Sequence, residues 1–305
     1  MGSRIALGVV TFRRPSELAA LLPLLAAQAA SVDAEVDVLV VDNDPDGSAA
    51  AVCAGTTAPR VRYVHEPRPG IAAARTRALR ETTEHDLLVF IDDDEVPGDG
   101  WLSLLLRTYR EHDCAGVVGP VVSSFAVPLE PFVVQGGFFD RRRLPTGSVV
   151  DVAATNNLLL DLAPVRAAGL EFDDAFGLTG GSDTLFVRRL VATGARLVWC
   201  DEAVVTDVVP PQRCTRDWAV RRRLRIGNSW SLTALALTDR PLPRLLLRGR
   251  LVGQGAVRLA GGGARALWGV VARDLRSRAV GTRTAVRGAG LLLGAVGYRY
   301  VEYRR

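Results

Sequence analysis

The sequence contains no lysine, so all 38 of its basic residues are arginine. Cysteine and histidine are scarce as well, with four and three copies. No two cysteines form a CxxC pair, which argues against a structural zinc site and predicts reduced thiols. The N-terminus lacks a signal-peptide pattern, and no uncharged apolar run reaches the roughly 18 residues that span a bilayer. We therefore expect a protein that does not cross a membrane.

The composition is that of a folded protein whose charge is unevenly distributed. The chain has 305 residues, of which 48% are hydrophobic and 23% charged, enough for one large domain or a domain with an appendage. Residues 1–240 carry 25 arginines against 31 acids, whereas residues 241–305 carry 13 arginines against two acids. The basic C-terminal part is therefore expected to meet an anionic partner: phospholipid, nucleic acid or an acidic face of the same chain.

Short β-branched runs alternate with helical stretches in the first half, which predicts an α/β fold with a largely parallel sheet. Ligands of such sheets bind beyond the carboxyl ends of the strands. Three predicted strands end on polar residues, namely Thr11, Asp42 and the run Asp92-Asp93-Asp94, and we expect them to line one cleft. The predicted strands cover residues 5–11, 36–41, 60–65, 86–91 and 115–122, and the predicted helices residues 16–30, 70–81 and 100–112.

The second half is less regular. The composition changes after Pro241 and Pro243, so we place a boundary near Asp239, with a catalytic domain over 1–238 and a basic helical extension over 239–305. Within that extension, the run Gly261-Gly262-Gly263 is interpreted as a hinge. The predicted elements are strands over 151–160 and 197–201 and helices over 164–169, 182–193 and 215–237.

Three segments carry candidate chemistry. The carboxylates of Asp92, Asp93 and Asp94 repel one another, and the oxygen ligands they offer suit Mg²⁺ or Mn²⁺, although a solvated acidic turn would look the same. The segment from Gly70 to Arg75 opens a helix that could face a phosphate, or is an ordinary helix start. Asp183 follows two glycines in a first helical turn, where it could act as a general base or simply cap the helix.

Together these segments resemble family 2 glycosyltransferases of the GT-A fold, a Rossmann-like mixed sheet, and in particular bacterial exopolysaccharide and cell-surface glycan members. The resemblance extends over about residues 4–230. It rests on residues 9–15 (VVTFRRP), 40–44 (VVDND), 70–75 (GIAAAR), 90–94 (FIDDD) and 179–184 (TGGSDT).

The resemblance implies a role for each matching residue. Asp94 would hold the metal that bridges the diphosphate, Asp183 would be the general base, and Asp42 would hydrogen-bond the nucleotide base. Asp92 would contact the ribose side, and Asn156 would border the sugar or the acceptor. The nucleotide-sugar site as a whole would comprise Thr11, Arg13, Asp42, Asp44, Arg75, Asp92, Asp93 and Asn156.

Two positions depart from the family pattern. Many relatives have Glu before the base, where this chain has Ser182, which leaves a single carboxylate. Relatives often have a histidine, sometimes a metal ligand, where this chain has Val208. Either the metal has fewer protein ligands or Asp207 substitutes.

The resemblance implies an inverting, metal-dependent glycosyltransferase that uses Mn²⁺ or Mg²⁺. Its donor would be a nucleoside-diphosphate sugar, with UDP the expected nucleotide. Its acceptor would be a hydroxyl of a glycan, a lipid-linked or a secondary-metabolite molecule. Two alternatives remain open at this point: a catalytically degenerate scaffold of a glycan-assembly complex, and a nucleotidyltransferase, which would need a glycine-rich loop absent after the first strand.

The basic extension interleaves arginine with apolar residues and includes Trp268, Tyr298, Tyr300 and Tyr303. This pattern suits helices that lie on an anionic membrane, so we expect a cytoplasmic protein, peripheral at the inner face of the plasma membrane. Packing of these helices against the chain's own acidic part is the alternative. No recognition motif for nucleic acid occurs, and we expect no nucleic-acid partner.

Overall fold

The computed structural model describes residues 3–177 and 179–300. It divides into two compact units, each assembled from separate stretches of the chain. Unit 1 consists of Met1–Val122, Arg141–Gly177 and Ser182–Val208, and unit 2 of Ser123–Asp140, Leu178–Gly181 and Val209–Arg305.

The framework of unit 1 is an eight-stranded sheet with the strand order β3-β2-β1-β4-β9-β6-β10-β8. Strands β1 to β4 pair in parallel, whereas β9 runs antiparallel to both β4 and β6, so the sheet is mixed. The strands are β1 (Arg4–Thr11), β2 (Glu35–Asp42), β3 (Val61–His65), β4 (Leu87–Asp92), β6 (Gly116–Val118), β8 (Val149–Val150), β9 (Asn157–Asp161) and β10 (Leu197–Trp199). A second sheet, of order β5-β11-β7, contains β5 (Glu95–Pro97), β7 (Val121–Phe125) and β11 (Val205–Val209).

Helices cover both faces of the large sheet, which explains why its strands read as continuous apolar runs. Side chains of a strand alternate between faces, so Ile5 and Leu7 of β1 join the core on one side and Ala6 joins the core on the other. The helices of unit 1 are α1 (Pro15–Ala30), α2 (Ala50–Gly55), α3 (Ile71–Glu81), α4 (Trp101–Glu111), α6 (Leu162–Ala167) and α7 (Ser182–Ala192).

Two predicted strands are wrong in extent. The predicted strand over 115–122 is divided at Pro120, which has no N–H for a ladder. Gly119 beside it packs so tightly that a Cβ would lie 2.8 Å from Cγ of Asn157. The predicted strand over 151–160 pairs only from Asn157 onward.

Unit 2 is built mainly from helices. In it, α10 packs between α8 and α9, and α5 contacts α10. The predicted hinge at Gly261-Gly262-Gly263 is wrong, because all three glycines lie inside the uninterrupted helix α9. Gly262 is buried there, since glycine lets the two helix backbones approach closely. The helices are α5 (Pro131–Gln135), α8 (Arg216–Ala236), α9 (Pro241–Val271) and α10 (Leu275–Ala295).

The predicted domain boundary near Asp239 falls between α8 and α9, inside unit 2. The division into a catalytic domain and an extension stays a prediction, and the two compact units divide the chain elsewhere. Among the described helices, none combines the length and the apolar character needed to cross a bilayer.

Candidate active site

The polar strand ends lie side by side at one edge of the large sheet. Thr11 of β1 is in register with Asp42 of β2, and Val10 is in register with Asp92 of β4. The order β2-β1-β4 therefore places these three strand ends side by side, and the ligand cleft that we expect them to line stays a prediction. Parallel strands bring their carboxyl ends to the same edge, where α/β proteins bind ligands.

The middle carboxylate of the acidic run, Asp93, points into the protein. It is buried, and it accepts hydrogen bonds from the hydroxyl of Thr11 at 2.8 Å and from Nη1 of Arg14 at 2.7 Å. Thr11 and Asp93, both predicted in the nucleotide-sugar site, thus bind each other. Their bond ties the end of β1 to the turn after β4.

Arg14 is a site residue that the sequence prediction missed. The same Nη1 atom lies 2.6 Å from Oδ2 of Asp94, so a single guanidinium bridges two of the three adjacent carboxylates. Burial works against the charge of Arg14, but Asp93 and Asp94 outweigh it and raise its pKa. The available signal was the second arginine in the TFRRP segment, directly before helix α1.

Asp92 lies where negative charge accumulates. Burial raises its pKa to about 6, with further contributions from Asp94, Asp93 and Asp183, while Arg75 opposes them. Nη2 of Arg75 is 3.8 Å from Oδ1 of Asp92, and Arg75 is itself buried. The structure therefore brings Arg75 and Asp92 together and places Asp183 close enough to act on the charge of Asp92.

Glu95 is a second residue that the sequence prediction missed. Burial raises its pKa well above the usual range, and Asp92 adds to this. Its two oxygens accept hydrogen bonds from Nδ2 of Asn156 at 2.7 Å and from the backbone N–H of Asp92 at 3.1 Å. The predicted residue Asn156 is thus connected to the acidic turn through Glu95.

Asp42 organises the loop after β2. It is fully buried, and its two oxygens accept the backbone N–H groups of Asp44 at 2.9 Å and Ala49 at 2.8 Å. Asp44 in turn accepts a hydrogen bond from Nε of Arg13 at 3.2 Å. The three predicted residues Arg13, Asp42 and Asp44 are therefore linked across the ends of β1 and β2, while the acidic turn follows β4 on the other side of β1.

Asp183 lies in the first turn of α7, after Gly180 and Gly181, whose positive φ angles of 75° and 97° favour glycine. Its Oδ1 accepts the backbone N–H of Thr184 at 2.8 Å, which fixes the carboxylate at the helix start. The residue before Asp183 is a buried serine, Ser182, and therefore supplies no second carboxylate at that position.

The position where relatives often have histidine lies on β11. Val208 is exposed there, and the neighbouring Asp207 pairs with Arg141. Asp207 is in register with Glu95 on β5 but is engaged by this arginine. The alternative that Asp207 replaces the histidine as a metal ligand therefore gains no support.

The acidic turn nevertheless fits a shared divalent cation. No group of three or more His, Cys, Asp and Glu within 3–177 and 179–300 is arranged to hold a metal ion alone. Mg²⁺ and related cations are commonly held by one or two carboxylates together with substrate phosphates, and Asp92 and Asp94 supply such a pair.

The mixed sheet with helices on both faces has the GT-A fold, the fold of solved glycosyltransferases. The fold matches that of the mannosyltransferase PcManGT from Pyrobaculum calidifontis, solved with GDP-Man and Mn²⁺, with a TM-score of 0.64 at 16% identity. That match covers 96% of this chain and 87% of PcManGT. S. aureus TarS matches with a TM-score of 0.56 at 15% identity, over 80% of this chain and 41% of TarS.

The chain belongs to glycosyl transferase family 2, whose model matches residues 7–161. The succinoglycan biosynthesis protein ExoM of Rhizobium meliloti (strain 1021) is 34% identical over 228 residues, which cover 74% of this chain and 73% of ExoM. The pre-mycofactocin glycosyltransferase of Mycobacterium tuberculosis is 29% identical over 214 residues, 66% of this chain, and this chain spans only 44% of that protein. The predicted family, fold class and enzyme class are thereby confirmed.

Proposed function

We propose that this glycosyltransferase moves a sugar from a nucleoside-diphosphate donor to an acceptor hydroxyl with inversion at the anomeric carbon, assisted by Mn²⁺ or Mg²⁺. The observation that carries the proposal is the alignment of the polar strand ends: Thr11, Asp42 and Asp92 lie side by side at the carboxyl edge of the sheet, and the acidic turn begins at Asp92. The charge of Asp183, at the start of α7, also acts on Asp92.

Each residue has a task in this reaction. Asp92 and Asp94 would hold the cation, which when bound neutralises the charge that develops on the departing diphosphate. Arg75 keeps Asp92 in place and adds positive charge beside it. Arg13, Asp42 and Asp44 shape the loop on which we place the nucleotide.

Asp183 acts as the general base. Its Oδ1 is oriented by the N–H of Thr184, and we assign Oδ2 to the acceptor proton. The acceptor oxygen bonds to the anomeric carbon while the bond from that carbon to the diphosphate breaks, and the proton passes to Asp183. A single displacement inverts the configuration, so the reaction requires no covalent enzyme intermediate.

The relatives support a role in building polysaccharides but do not agree on the nucleotide. ExoM is named for succinoglycan biosynthesis, and we propose an exopolysaccharide or related glycan as the product of this chain. PcManGT was solved with GDP-Man and GalNAc-T7 with UDP and GalNAc, each with Mn²⁺. We keep UDP as the expected nucleotide and a lipid-linked or glycan acceptor at the inner face of the plasma membrane.

Calorimetric titration of UDP, GDP and dTDP, each with Mn²⁺ and with EDTA, tests the proposal. We expect one nucleotide to bind tightly to the wild type with Mn²⁺, and Asp94→Ala or EDTA to abolish this binding. Asp151→Ala is the matched control, because Asp151 is an exposed aspartate of unit 1 outside the acidic turn. Failure of all three nucleotides to bind would refute the donor site, and binding that ignores metal would remove the role of Asp94.

A further inference from the structure

Helix α9 has one face fixed against α10. Its buried residues are Leu251, Gly255, Gly262 and Gly269, and the three glycines are spaced seven residues apart. A Cβ on Gly255 would lie 2.9 Å from the carbonyl oxygen of Gly288, and a Cβ on Gly262 would lie 2.8 Å from that of Gly281. Because the two backbones touch, α9 cannot rotate about its axis without separating from α10.

The opposite side of α9 is apolar along its whole length. At 3.6 residues per turn, an arc of about 80° directly opposite the buried glycines contains only Leu, Val, Ala and Gly. Its larger members are Leu242, Leu246, Val257, Leu267 and Val271, and we call this arc the α9 outer face. Val257 is 73% and Leu267 71% exposed. With 31 residues, the helix extends this surface over about 46 Å.

Arginine without acidic counterparts is concentrated in α9 and α10. On a helical wheel, Arg250 lies about 20° beyond the edge of the outer face, whereas the other four arginines of α9 lie nearer the buried glycines. Helices α9 and α10 contain nine arginines and no acidic residue. Of the nearby acids, Asp140 lies 3.8 Å from Arg283, and Asp274 caps the start of α10. Burial lowers the pKa of Arg287, and the charges of Arg258 and Arg283 lower it further.

We propose that the α9 outer face lies in the plane of an anionic phospholipid bilayer, with its apolar side chains among the acyl chains, Arg250 at the headgroups, and the remaining arginines of α9 and α10 adding positive charge that attracts the anionic surface. Such a surface offers both apolar depth and negative charge, the two properties that this helix requires. In this arrangement α9 lies along the bilayer surface, since its apolar residues form one exposed arc along the whole helix.

This inference rests on the membrane location in the proposed function and names the surface responsible. It also favours a lipid-linked acceptor, since the enzyme and such an acceptor would share one plane. Membrane binding is measured without nucleotide or acceptor. A failure to bind membranes would therefore leave the proposed nucleotide site intact, and a failure to bind nucleotides would leave the membrane inference intact.

Flotation of the full chain with vesicles of phosphatidylcholine and phosphatidylglycerol (7:3) tests the inference against vesicles of pure phosphatidylcholine. We expect binding to the anionic vesicles at least tenfold stronger than to the neutral ones. Val257→Asp/Leu267→Asp should reduce anionic-vesicle binding at least tenfold. Val134→Asp/Val149→Asp is the matched control, because it makes the same charge change at exposed valines outside α9.

Quenching of tryptophan fluorescence by brominated lipid supplies a second measurement. Trp268 is exposed at the border of the outer face, so Trp268→Phe should remove most of the quenching seen in the wild type. The inference is overturned if the wild type does not bind anionic vesicles, if it binds both lipids equally, or if the α9 variant binds like its control. It is also overturned if sedimentation shows that the outer-face variant instead dissociates a dimer.

Discussion

Arg14 and Arg13 are adjacent, yet the structure predicts opposite consequences for their removal. Arg14 bridges Asp93 and Asp94 at 2.7 and 2.6 Å, and its side chain is 30% exposed while that of Asp93 is 5% exposed. Arg13 pairs with Asp44 and Asp46, but its own side chain is 60% exposed. Both Arg14→Gln and Arg13→Gln remove one positive charge, so the difference between them measures the effect of burial.

In Arg14→Gln, the buried Asp93 loses the Arg14 guanidinium and keeps the Thr11 hydroxyl as the other of its two side-chain donors described above. Breaking a buried ion pair costs about 3–5 kcal/mol, and we expect about 2–3 kcal/mol here because Arg14 keeps partial contact with water. Since exposed pairs contribute about 0.2–1 kcal/mol, Arg13→Gln should cost less than 1 kcal/mol. In thermal unfolding, 1 kcal/mol corresponds to about 2–4 °C for a domain of this size, so the variants should differ by several degrees.

The same variants report on the cation. Without Arg14, less positive charge competes for Asp94, so Mn²⁺ should raise the melting temperature of Arg14→Gln more than that of the wild type. Differential scanning fluorimetry with and without Mn²⁺ measures both effects. Equal melting temperatures for the two arginine variants, with equal responses to Mn²⁺, would refute the assignment of Arg14 to the acidic turn.

Three further predictions concern the base, the helix packing and an ion pair. Asp183→Asn should lower sugar transfer about 10²–10⁴-fold while nucleotide titration stays unchanged; transfer within tenfold of the wild type would remove the base role. Gly262→Ala should lower the free energy of unfolding by about 1–3 kcal/mol, because the added methyl group would overpack the contact between α9 and α10. Gly261 has open space around it, so Gly261→Ala should be neutral or raise the free energy of unfolding by up to about 1 kcal/mol. Urea unfolding measures both values, and equal effects would contradict the close packing of Gly262 against α10. A hydrogen bond from Arg143 lowers the pKa of Asp201 in the folded protein. The pair therefore stabilises the folded state fully above the ordinary aspartate pKa of about 3.9, and this contribution is lost as the pH falls through the lowered pKa. Arg143→Gln should therefore lower the melting temperature at pH 7 more than at pH 3, and an equal loss at both would refute the linkage.

The carboxyl edge of the sheet could be predicted from the sequence because it depends on local pattern. The runs that become β1, β2 and β4 are apolar and stop on polar residues, and the parallel arrangement then aligns Thr11, Asp42 and Asp92. The positions of the candidate site residues along the chain follow from the same pattern. Their roles in binding and catalysis stay predictions that the experiments above address.

What the pattern could not predict depends on contacts between distant segments. The pairings of Arg14 with Asp94, of Glu95 with Asn156 and of Asp207 with Arg141 join residues that only the folded chain brings together. The prediction of a hinge at the glycine run in α9 is wrong for the same reason. Glycine favours a hinge when nothing packs against it, but Gly262 lies against a neighbouring helix.

The central position of α10 determines which fragment of this protein can be expressed alone. The hydroxyl of Ser231 on α8 donates to the carbonyl of Leu291 on α10 at 2.9 Å, and Gly294 of α10 approaches Ser231 closely. A chain truncated after residue 238 would present this α8 surface, including the buried Asn228 and Ser231, to solvent. The side chain of Asn228 also bonds the backbone of Tyr298 and Tyr300. A fragment for crystallisation or assay should therefore retain the chain through Tyr300, and aggregation of the shorter fragment would reflect a missing helix rather than a defective catalytic fold.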